Sequence, residues 1–139
     1  MRSAQVAHLV KAGDLNHHGT LFAGRMAEWF VEACFICGAR ITEHPESIVC
    51  LKMHGLRFNA PANKGDIITI DTQLVKAGRT SFIIYGRAAK NNSSTILADG
   101  FITFVYVDHQ GKPKAHNLVL VPAANETEAS LRENASKLS

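Results

Sequence analysis

The sequence has few cysteines and nothing that resembles a disulfide framework. Its 139 residues include three, Cys34, Cys37 and Cys50, and no second Cys/His pair stands at zinc spacing from them. Stable disulfides belong to oxidising compartments, whereas an odd number of unbridged thiols is typical of reducing ones. We therefore expect a cytoplasmic protein.

A long uninterrupted apolar run is also missing. The longest, from Phe22 to Ile41, contains Arg25, Glu28 and Glu32. These charges make it too polar for a lipid-facing span of about 20 residues. No basic segment followed by an apolar one precedes it, so we expect neither secretion nor a membrane partner.

Charge of either sign is modest. The formal net charge is +3, with 19% charged and 46% hydrophobic residues. This composition fits one compact domain with a hydrophobic core. An anionic small molecule would account for the positive excess, and the composition gives no support to a nucleic-acid partner.

The sequence does contain a polar, turn-prone run that leads directly into an apolar helix. Asp14 to Gly19 is rich in residues that bond their own backbone or tolerate positive φ, which predicts a tight, shaped loop. The helix follows from about Phe22 to Ile41, with the small pair Ala23-Gly24 in its first turn. Open N–H groups at a helix N-terminus can bind an anion or an oxyanion, so we expect the chemistry at this junction.

The helix is predicted to be buried on almost every side, because its large apolar residues cannot share one face. Arg25, Glu28 and Glu32 form one narrow stripe. This stripe is either a solvated line with an Arg25–Glu28 pair or a functional site at Glu32. We interpret Cys34 and Cys37 as buried packing residues rather than a redox pair.

Alternating apolar residues and turn signals predict one strand before the helix and four after it. Their approximate ranges are 3–11, 48–58, 67–75, 81–89 and 95–107. This order is α+β rather than alternating βαβ, and an antiparallel sheet wrapped around the helix satisfies it. We expect one domain over residues 1–121, followed by a tail, 122–139, that forms a surface helix or frays.

Four segments between about Val6 and Pro113 stand in a recognisable order. They are Asn16-His-His-Gly-Thr-Leu-Phe-Ala-Gly24, the Pro61 to Asp66 turn, the hairpin Lys76-x-Gly-Arg-Thr-Ser81 and the strand Phe101 to Asp108. Together they resemble the hotdog-fold acyl-CoA thioesterases, especially the bacterial acyl-CoA hydrolases and the brain-type cytosolic acyl-CoA hydrolase.

The resemblance implies a hotdog fold, in which an antiparallel sheet wraps around one long central helix. It also implies a homodimer whose two sheets join into one, with active sites at the interface and further assembly into a tetramer or hexamer. The helix would then be both a packing element and a dimer wall. The implied reaction is hydrolysis of acyl-CoA to free acid and coenzyme A, with no metal or redox cofactor.

Thioester hydrolysis needs a polarised carbonyl and an oriented water. The resemblance implies that backbone N–H groups around Ala23 and Gly24 polarise the carbonyl, assisted by the helix dipole. Related enzymes have a Gly-Gly pair at the positions of Ala23 and Gly24, and they carry Asp or Glu seven residues after its second glycine. This sequence has Val31 at that position. Glu32 follows, but one residue turns a helical side chain by about 100°. Glu32 can therefore replace that acid only if the helix is rotated or shifted there.

Another branch of the family uses an acid in the loop before the helix, at a position matched here by Asn16. Asn is not a base at neutral pH, but it can orient a water or the carbonyl. We therefore predict Asn16 and Glu32 as the catalytic side chains, across the dimer interface, with Gly24 at the oxyanion site.

The same loop offers three further polar side chains for substrate binding. Thr20 is a candidate for holding water. His17 and His18 are either local hydrogen-bonding residues or, in the sharper alternative, the source of a general base.

The nucleotide end of coenzyme A is assigned to the hairpin after the third strand, which borders the CoA groove in the family. Cations and hydroxyls at such a turn can meet a pyrophosphate or the ribose phosphate. We expect Arg79, Thr80 and Ser81 to bind CoA. The alternative is a surface turn that happens to carry Lys76 and Arg79.

Two other classes stay open. The first is a hotdog protein that binds acyl-CoA or another small molecule without hydrolysing it, which the departure at Val31 favours. The second is a hotdog dehydratase acting on acyl thioesters, and for this class the sequence lacks the expected run with an acid and a histidine.

Overall fold

A computed structural model describes residues 3–91 and 93–138. Five strands and two helices are formed within these ranges: β1 Ser3–Leu9, α1 Ala23–Thr42, β2 Ile48–Phe58, β3 Ile67–Ala77, β4 Ser81–Lys90, β5 Ile96–Tyr106 and α2 Glu126–Ser136. Short 3₁₀ turns lie at Ala12–Asp14 and Pro45–Ser47. The predicted order of one strand, a long helix and four strands is confirmed.

The strands form one antiparallel sheet in the order β1-β3-β4-β5-β2. Short hairpins join β3 to β4 and β4 to β5, whereas β1 and β2 lie at opposite edges. The strand that precedes α1 and the strand that follows it are therefore separated by the other three.

One face of α1 packs against this sheet. Its buried residues are Met26, Trp29, Phe30, Ala33, Cys34, Cys37 and Gly38. The helix comes close to the sheet at Gly86 in β4, where an added Cβ would lie 2.5 Å from Phe30 Cε2 and 3.0 Å from Cys34 Sγ. Gly86 therefore sets the distance between the helix and the sheet.

Cys34 and Cys37 are packing residues, as the sequence indicates. Both are fully covered between α1 and the sheet. Burial raises the pKa of both thiols, which keeps them protonated at neutral pH.

The prediction that α1 is buried on almost every side is wrong for the single chain. Gly24, Glu28 and Glu32 are exposed on the face turned away from the sheet, and Val31 and Phe35 are only partly covered there. The sheet covers one side of the helix only. The apolar residues on the other side are therefore left for a second chain or a ligand.

The sequence also predicts that the second half of β2 alternates, with His54, Leu56 and Phe58 on one face, and this prediction is wrong. The pairing of β2 with β5 shifts register between His54 and Arg57, where Gly55 has φ +52°. A bulge of this kind inserts a residue and re-aims the side chains that follow it. As a result His54 is buried while Phe58, expected on the same face, is 51% exposed.

The C-terminal tail is a helix. The Asn125 side chain caps α2 by accepting the N–H of Glu128 at 2.8 Å. Leu131 and Ala135 pack on the outer face of the sheet, against a cluster that includes Val75. Among the described residues, no helix is long and apolar enough to cross a membrane.

Candidate active site

The loop between β1 and α1 is closed on itself. Phe22 N–H donates to Asp14 O at 2.9 Å, and Asn16 N–H donates to Thr20 O at 2.7 Å. Gly19 turns the chain at the tip with φ +83°, a conformation that glycine adopts without a steric penalty. The predicted tight loop is confirmed.

Asn16 holds the tip of this loop with its side chain. Its Oδ1 accepts the N–H groups of His18 (2.9 Å) and Thr20 (3.2 Å), and its Nδ2 donates to Thr20 Oγ1 at 3.1 Å. The amide is thereby fixed in one orientation, which is what a group that positions a reactant needs.

The far side of the loop is fixed to the turn after β2. Thr20 pairs with Asn63, and Leu21 N–H donates to Ala62 O at 2.8 Å. A cavity of about 270 Å³ lies here between the start of α1 and residues 58–62, and Thr20 and Ala23 are among its lining residues. Two of the four family-like segments thus meet at the start of the helix.

Asp14 anchors the base of the loop. Its buried carboxylate accepts the Lys11 N–H at 2.8 Å and lies 3.5 Å from Arg25 Nε. Arg25 also lies 3.7 Å from Glu28, the pair considered from the sequence. Sequence reasoning did not single out Asp14 as a site residue, because only its burial distinguishes it from an ordinary turn aspartate.

The first turn of α1 is open. Phe22 at the N-cap position makes no side-chain capping bond, and the N–H groups of Arg25 and Met26 both donate to Phe22 O. The N–H groups of Ala23 and Gly24 come before these two, at the positive end of the helix. The Phe22 ring lies over Gly24, where an added Cβ would be 2.5 Å from Phe22 Cε2.

A groove of about 510 Å³ runs along the outward face of α1 from Gly24. Its lining residues are Gly24, Ala27, Glu28, Val31, Glu32 and Phe35. The floor is apolar, and the two carboxylates lie at one side. Such a groove suits an acyl chain, an apolar partner surface or both.

Glu32 lies at the side of this groove that faces β1. Its side chain is 60% exposed, and its carboxylate lies 3.7 Å from His8 Nε2. The His8 ring stacks on Trp29 with ring centroids 4.5 Å apart. Since α1 runs without interruption from Ala23 to Thr42, Glu32 and Val31 keep their different directions. The catalytic role of Glu32 stays a prediction.

His17 and His18 are exposed at the tip of the loop, with ring centroids 3.9 Å apart. His54 in β2 has its Nε2 2.7 Å from Thr103 Oγ1. Burial lowers the pKa of His54, and the charge of Lys52 lowers it further, so a neutral ring is favoured.

The hairpin between β3 and β4 is closed by Gly78 N–H, which donates to Ser81 O at 2.8 Å. Arg79 is exposed, and Thr80 and Ser81 are half-buried. A cavity of about 230 Å³ lies beside it, with Lys76, Ser81 and Lys52 among its lining residues. Of the three residues predicted to bind CoA, only Ser81 lines this cavity, so the role of the hairpin in CoA binding stays a prediction.

Within one chain, the loop and the hairpin lie at opposite ends of β3. Leu9, just before the loop, pairs with Ile67 at the start of β3, whereas the hairpin follows Ala77 at its end. Eleven residues of strand separate them by roughly 30 Å at about 3.3 Å per residue. The structure brings Asn16, Thr20 and Gly24 together at one end and places Arg79 to Ser81 at the other.

A five-stranded antiparallel sheet packed on one long helix defines this protein as a hotdog-fold domain. The model of the thioesterase superfamily matches residues 18–95, which include the end of the loop, α1 and the hairpin, whereas Asn16 precedes the matched residues. The chain belongs to the thioesterase superfamily.

Two curated relatives are both described as uncharacterized acyl-CoA thioester hydrolases. The one from Zymomonas mobilis is 31% identical over 118 residues, which cover 82% of this chain and 74% of the relative. The one from Bacillus subtilis is 27% identical over 104 residues, 72% of this chain, and the match spans only 59% of that relative's length.

Among solved structures, a hexameric acyl-CoA thioesterase in its apo form is similar, with a TM-score of 0.85 and 29% identity. The match covers 96% of this chain and 86% of that one. The fold is therefore similar over nearly the whole chain.

Proposed function

We propose that this chain is a cytoplasmic acyl-CoA thioesterase that hydrolyses an acyl-CoA thioester to the free acid and coenzyme A. The observation that carries the proposal is the open start of α1 at Ala23 and Gly24, beside the loop held by Asn16, in a thioesterase-superfamily domain. The names of its relatives support acyl-CoA as the substrate class.

The reaction follows from the chemistry of a thioester. Attack by water on the carbonyl carbon moves negative charge to the carbonyl oxygen, and the N–H groups of Ala23 and Gly24 can stabilise that oxyanion by donating hydrogen bonds at the positive end of α1. Collapse of the tetrahedral intermediate breaks the C–S bond, and the coenzyme A thiolate takes up a proton. Water is the only co-reactant, so the scheme includes no resident cofactor.

A homodimer would bring the two separated parts of the site together. β2 is an edge strand with Val49, Leu51 and Met53 exposed at 48%, 66% and 40%, an arrangement that favours pairing with another strand. If two β2 strands pair antiparallel, the resulting two-fold axis reverses the direction of the second sheet. One chain's loop and the partner's hairpin then lie at the same end of the joined sheet.

Activation of the attacking water is assigned to Asn16 and Glu32, with Glu32 as the only base of the two. Asn16 orients the water or the carbonyl through an amide that the loop already holds in place. Glu32 would take the attacking water's proton, which requires its carboxylate to turn from His8 toward the groove in the assembled protein.

The test is release of free coenzyme A thiol from a panel of acyl-CoAs of different chain lengths. Exposed Cys50 would itself react with a thiol reagent, so a Cys50→Ser variant gives the cleanest baseline. We expect saturable thiol release for at least one chain length. Calorimetric binding of the same acyl-CoAs without any thiol release would refute hydrolysis.

The second candidate is a domain that binds acyl-CoA without hydrolysing it. The specific observation in its favour is Val31, an apolar residue that faces the groove at the position where related enzymes carry an acid. The same panel separates the two, because binding without turnover is the result that a pure binder gives. Further assembly into a tetramer or hexamer is compatible with either candidate.

A further inference from the structure

A segment beyond the family-matched residues packs behind the hairpin. Three successive hairpin carbonyls accept hydrogen bonds from it: Arg79 O from His116 N–H (3.2 Å), Thr80 O from Tyr106 N–H (2.8 Å) and Ser81 O from His116 Nε2 (2.8 Å). Three consecutive carbonyls of the turn are thus bound by residues from further along the chain.

His116 supplies two of these three bonds, and its ring is held in one tautomer. Leu118 N–H donates to His116 Nδ1 at 2.9 Å, so Nδ1 is the acceptor. The proton of the neutral ring is then on Nε2, which donates to the Ser81 carbonyl. The ring edge also meets the Phe82 face, with centroids 5.7 Å apart at 88°.

The Ser81 carbonyl accepts the hydrogen bond from His116 Nε2 and is also used by the turn itself. It also accepts the Gly78 N–H that closes the hairpin. Arg79 and Thr80 are the two residues between Gly78 and Ser81, so the closed turn carries both of their side chains. Their directions therefore depend on a carbonyl that His116 holds from a position 35 residues further along the chain.

We propose that His116 is a positioning residue for coenzyme A. It holds the hairpin in the conformation in which Arg79, Thr80 and Ser81 meet the nucleotide end of the substrate. The inference rests on the proposed function for the assignment of this hairpin to CoA. It adds a residue from the C-terminal segment to the CoA site and gives it a role that does not require contact with the ligand.

Two variants of His116 distinguish the roles of its two ring nitrogens. His116→Asn keeps an acceptor near the Nδ1 position and loses the donor to Ser81, whereas His116→Gln keeps a donor that can reach Ser81. Loss of one such hydrogen bond should raise the Kd of free CoA and the KM of acyl-CoA roughly three- to tenfold in His116→Asn. The kcat should stay within about twofold of the wild type, since the bond is remote from the reacting carbonyl.

His116→Gln should restore both constants to near the wild-type values. His109→Asn, the same change at an exposed histidine, is the matched control and should alter neither. An acyl thioester of N-acetylcysteamine lacks the nucleotide, so its KM should be the same in all variants. Equal CoA binding by His116→Asn and the wild type, or an equal KM rise for the truncated thioester, would overturn the proposal.

A measurement on the wild type covers the case in which His116→Asn does not fold. Saturating CoA should slow hydrogen exchange at the Gly78 amide, which shares the Ser81 carbonyl with His116; unchanged exchange there contradicts the positioning role. The Kd is measured with free CoA and does not depend on turnover. Failure of the hydrolysis proposal can therefore be distinguished from failure of the positioning role of His116. A wild type that binds CoA more tightly than His116→Asn but releases no thiol refutes hydrolysis alone, and one that does not bind CoA overturns the role of His116.

Discussion

The two faces of α1 differ in what they contact. The inward face is covered completely by the sheet, with Phe30, Ala33 and Cys34 at 0% exposure. The outward face contains the same kinds of apolar residue, Val31 and Phe35 among them, yet opens on a groove of about 510 Å³. One face of the helix is thus buried within the chain, whereas the other leaves apolar residues partly exposed.

This difference separates the residues that decide the fold from those that decide assembly and function. Burial on the inward face is satisfied within one chain. The outward face leaves its apolar residues partly exposed, and under the proposed function an acyl group or a second copy would cover them. Substitutions on the two faces should therefore affect different measurements, and the predictions below use this contrast.

The largest effect is expected on the inward face. Phe30→Ala leaves a cavity where α1 crosses Gly86, so the free energy of unfolding should fall by about 3 to 5 kcal/mol. The matched control is Phe22→Ala on the outward side, where the ring is 55% exposed; its loss should be about 1 kcal/mol or less. Denaturant unfolding of both variants measures the difference, and similar losses would contradict the contrast between the faces.

The next largest effect is expected on catalytic activity, when the carboxylate of Glu32 on the outward face is removed. If Glu32 is the general base, Glu32→Gln should lower kcat roughly 100-fold with unchanged assembly, as general-base removal commonly does. His8→Gln is the informative companion, because it removes the residue 3.7 Å from Glu32 without removing the carboxylate. Full kcat in Glu32→Gln would show that Glu28 and Glu32 are only solvated charges.

Assembly should respond to a charge placed in the outward groove. Ala27→Arg puts a cation into the face of α1 that the family resemblance makes a dimer wall, and an unpaired buried charge costs several kcal/mol. The dimer dissociation constant should rise by about 100-fold or more, while far-UV circular dichroism stays unchanged. Ser130→Arg on the exposed side of α2 is the control. A dimer of normal stability in Ala27→Arg would show that α1 is not a dimer wall.

The smallest effect concerns thiol reactivity. Burial raises the pKa of Cys34 and Cys37 on the inward face, so they should resist alkylation at neutral pH in the folded protein. Cys50 is exposed and should be labelled first, although partial burial raises its pKa too. Mass spectrometry of the labelled peptides measures the order, and labelling of Cys34 before unfolding would contradict the packing of α1.

The order of elements was predictable because each strand shows its own alternation or apolar run, and because α1 is long and periodic. The partial exposure of α1 was not predictable from composition. A helix that is apolar on every side has the same sequence pattern whether one chain buries it or two do. The bulge at Gly55 was missed because a bulge depends on the partner strand as much as on the residues themselves.

The site was predictable where its signals are local. The loop from Asp14 to Gly19 folds through its own side chains, and Asn16 is at its centre. His8 and His116 gave no such signal, because their contacts with Trp29 and Ser81 depend on tertiary structure. The direction of Glu32 toward His8 likewise depends on where β1 lies in the sheet.

The measurement that tests the central claim most directly is kcat for acyl-CoA hydrolysis by the wild type, Asn16→Ala and Asn16→Asp at equal oligomer concentration. Asn16→Ala removes the acceptor for the His18 and Thr20 N–H groups, and misplacement of a site by about 1 Å can cost about 100-fold in rate. Asn16→Asp keeps that acceptor and should retain a larger part of the rate than Asn16→Ala. Equal kcat in all three proteins would contradict the account, because the chemistry would then lie away from the start of α1.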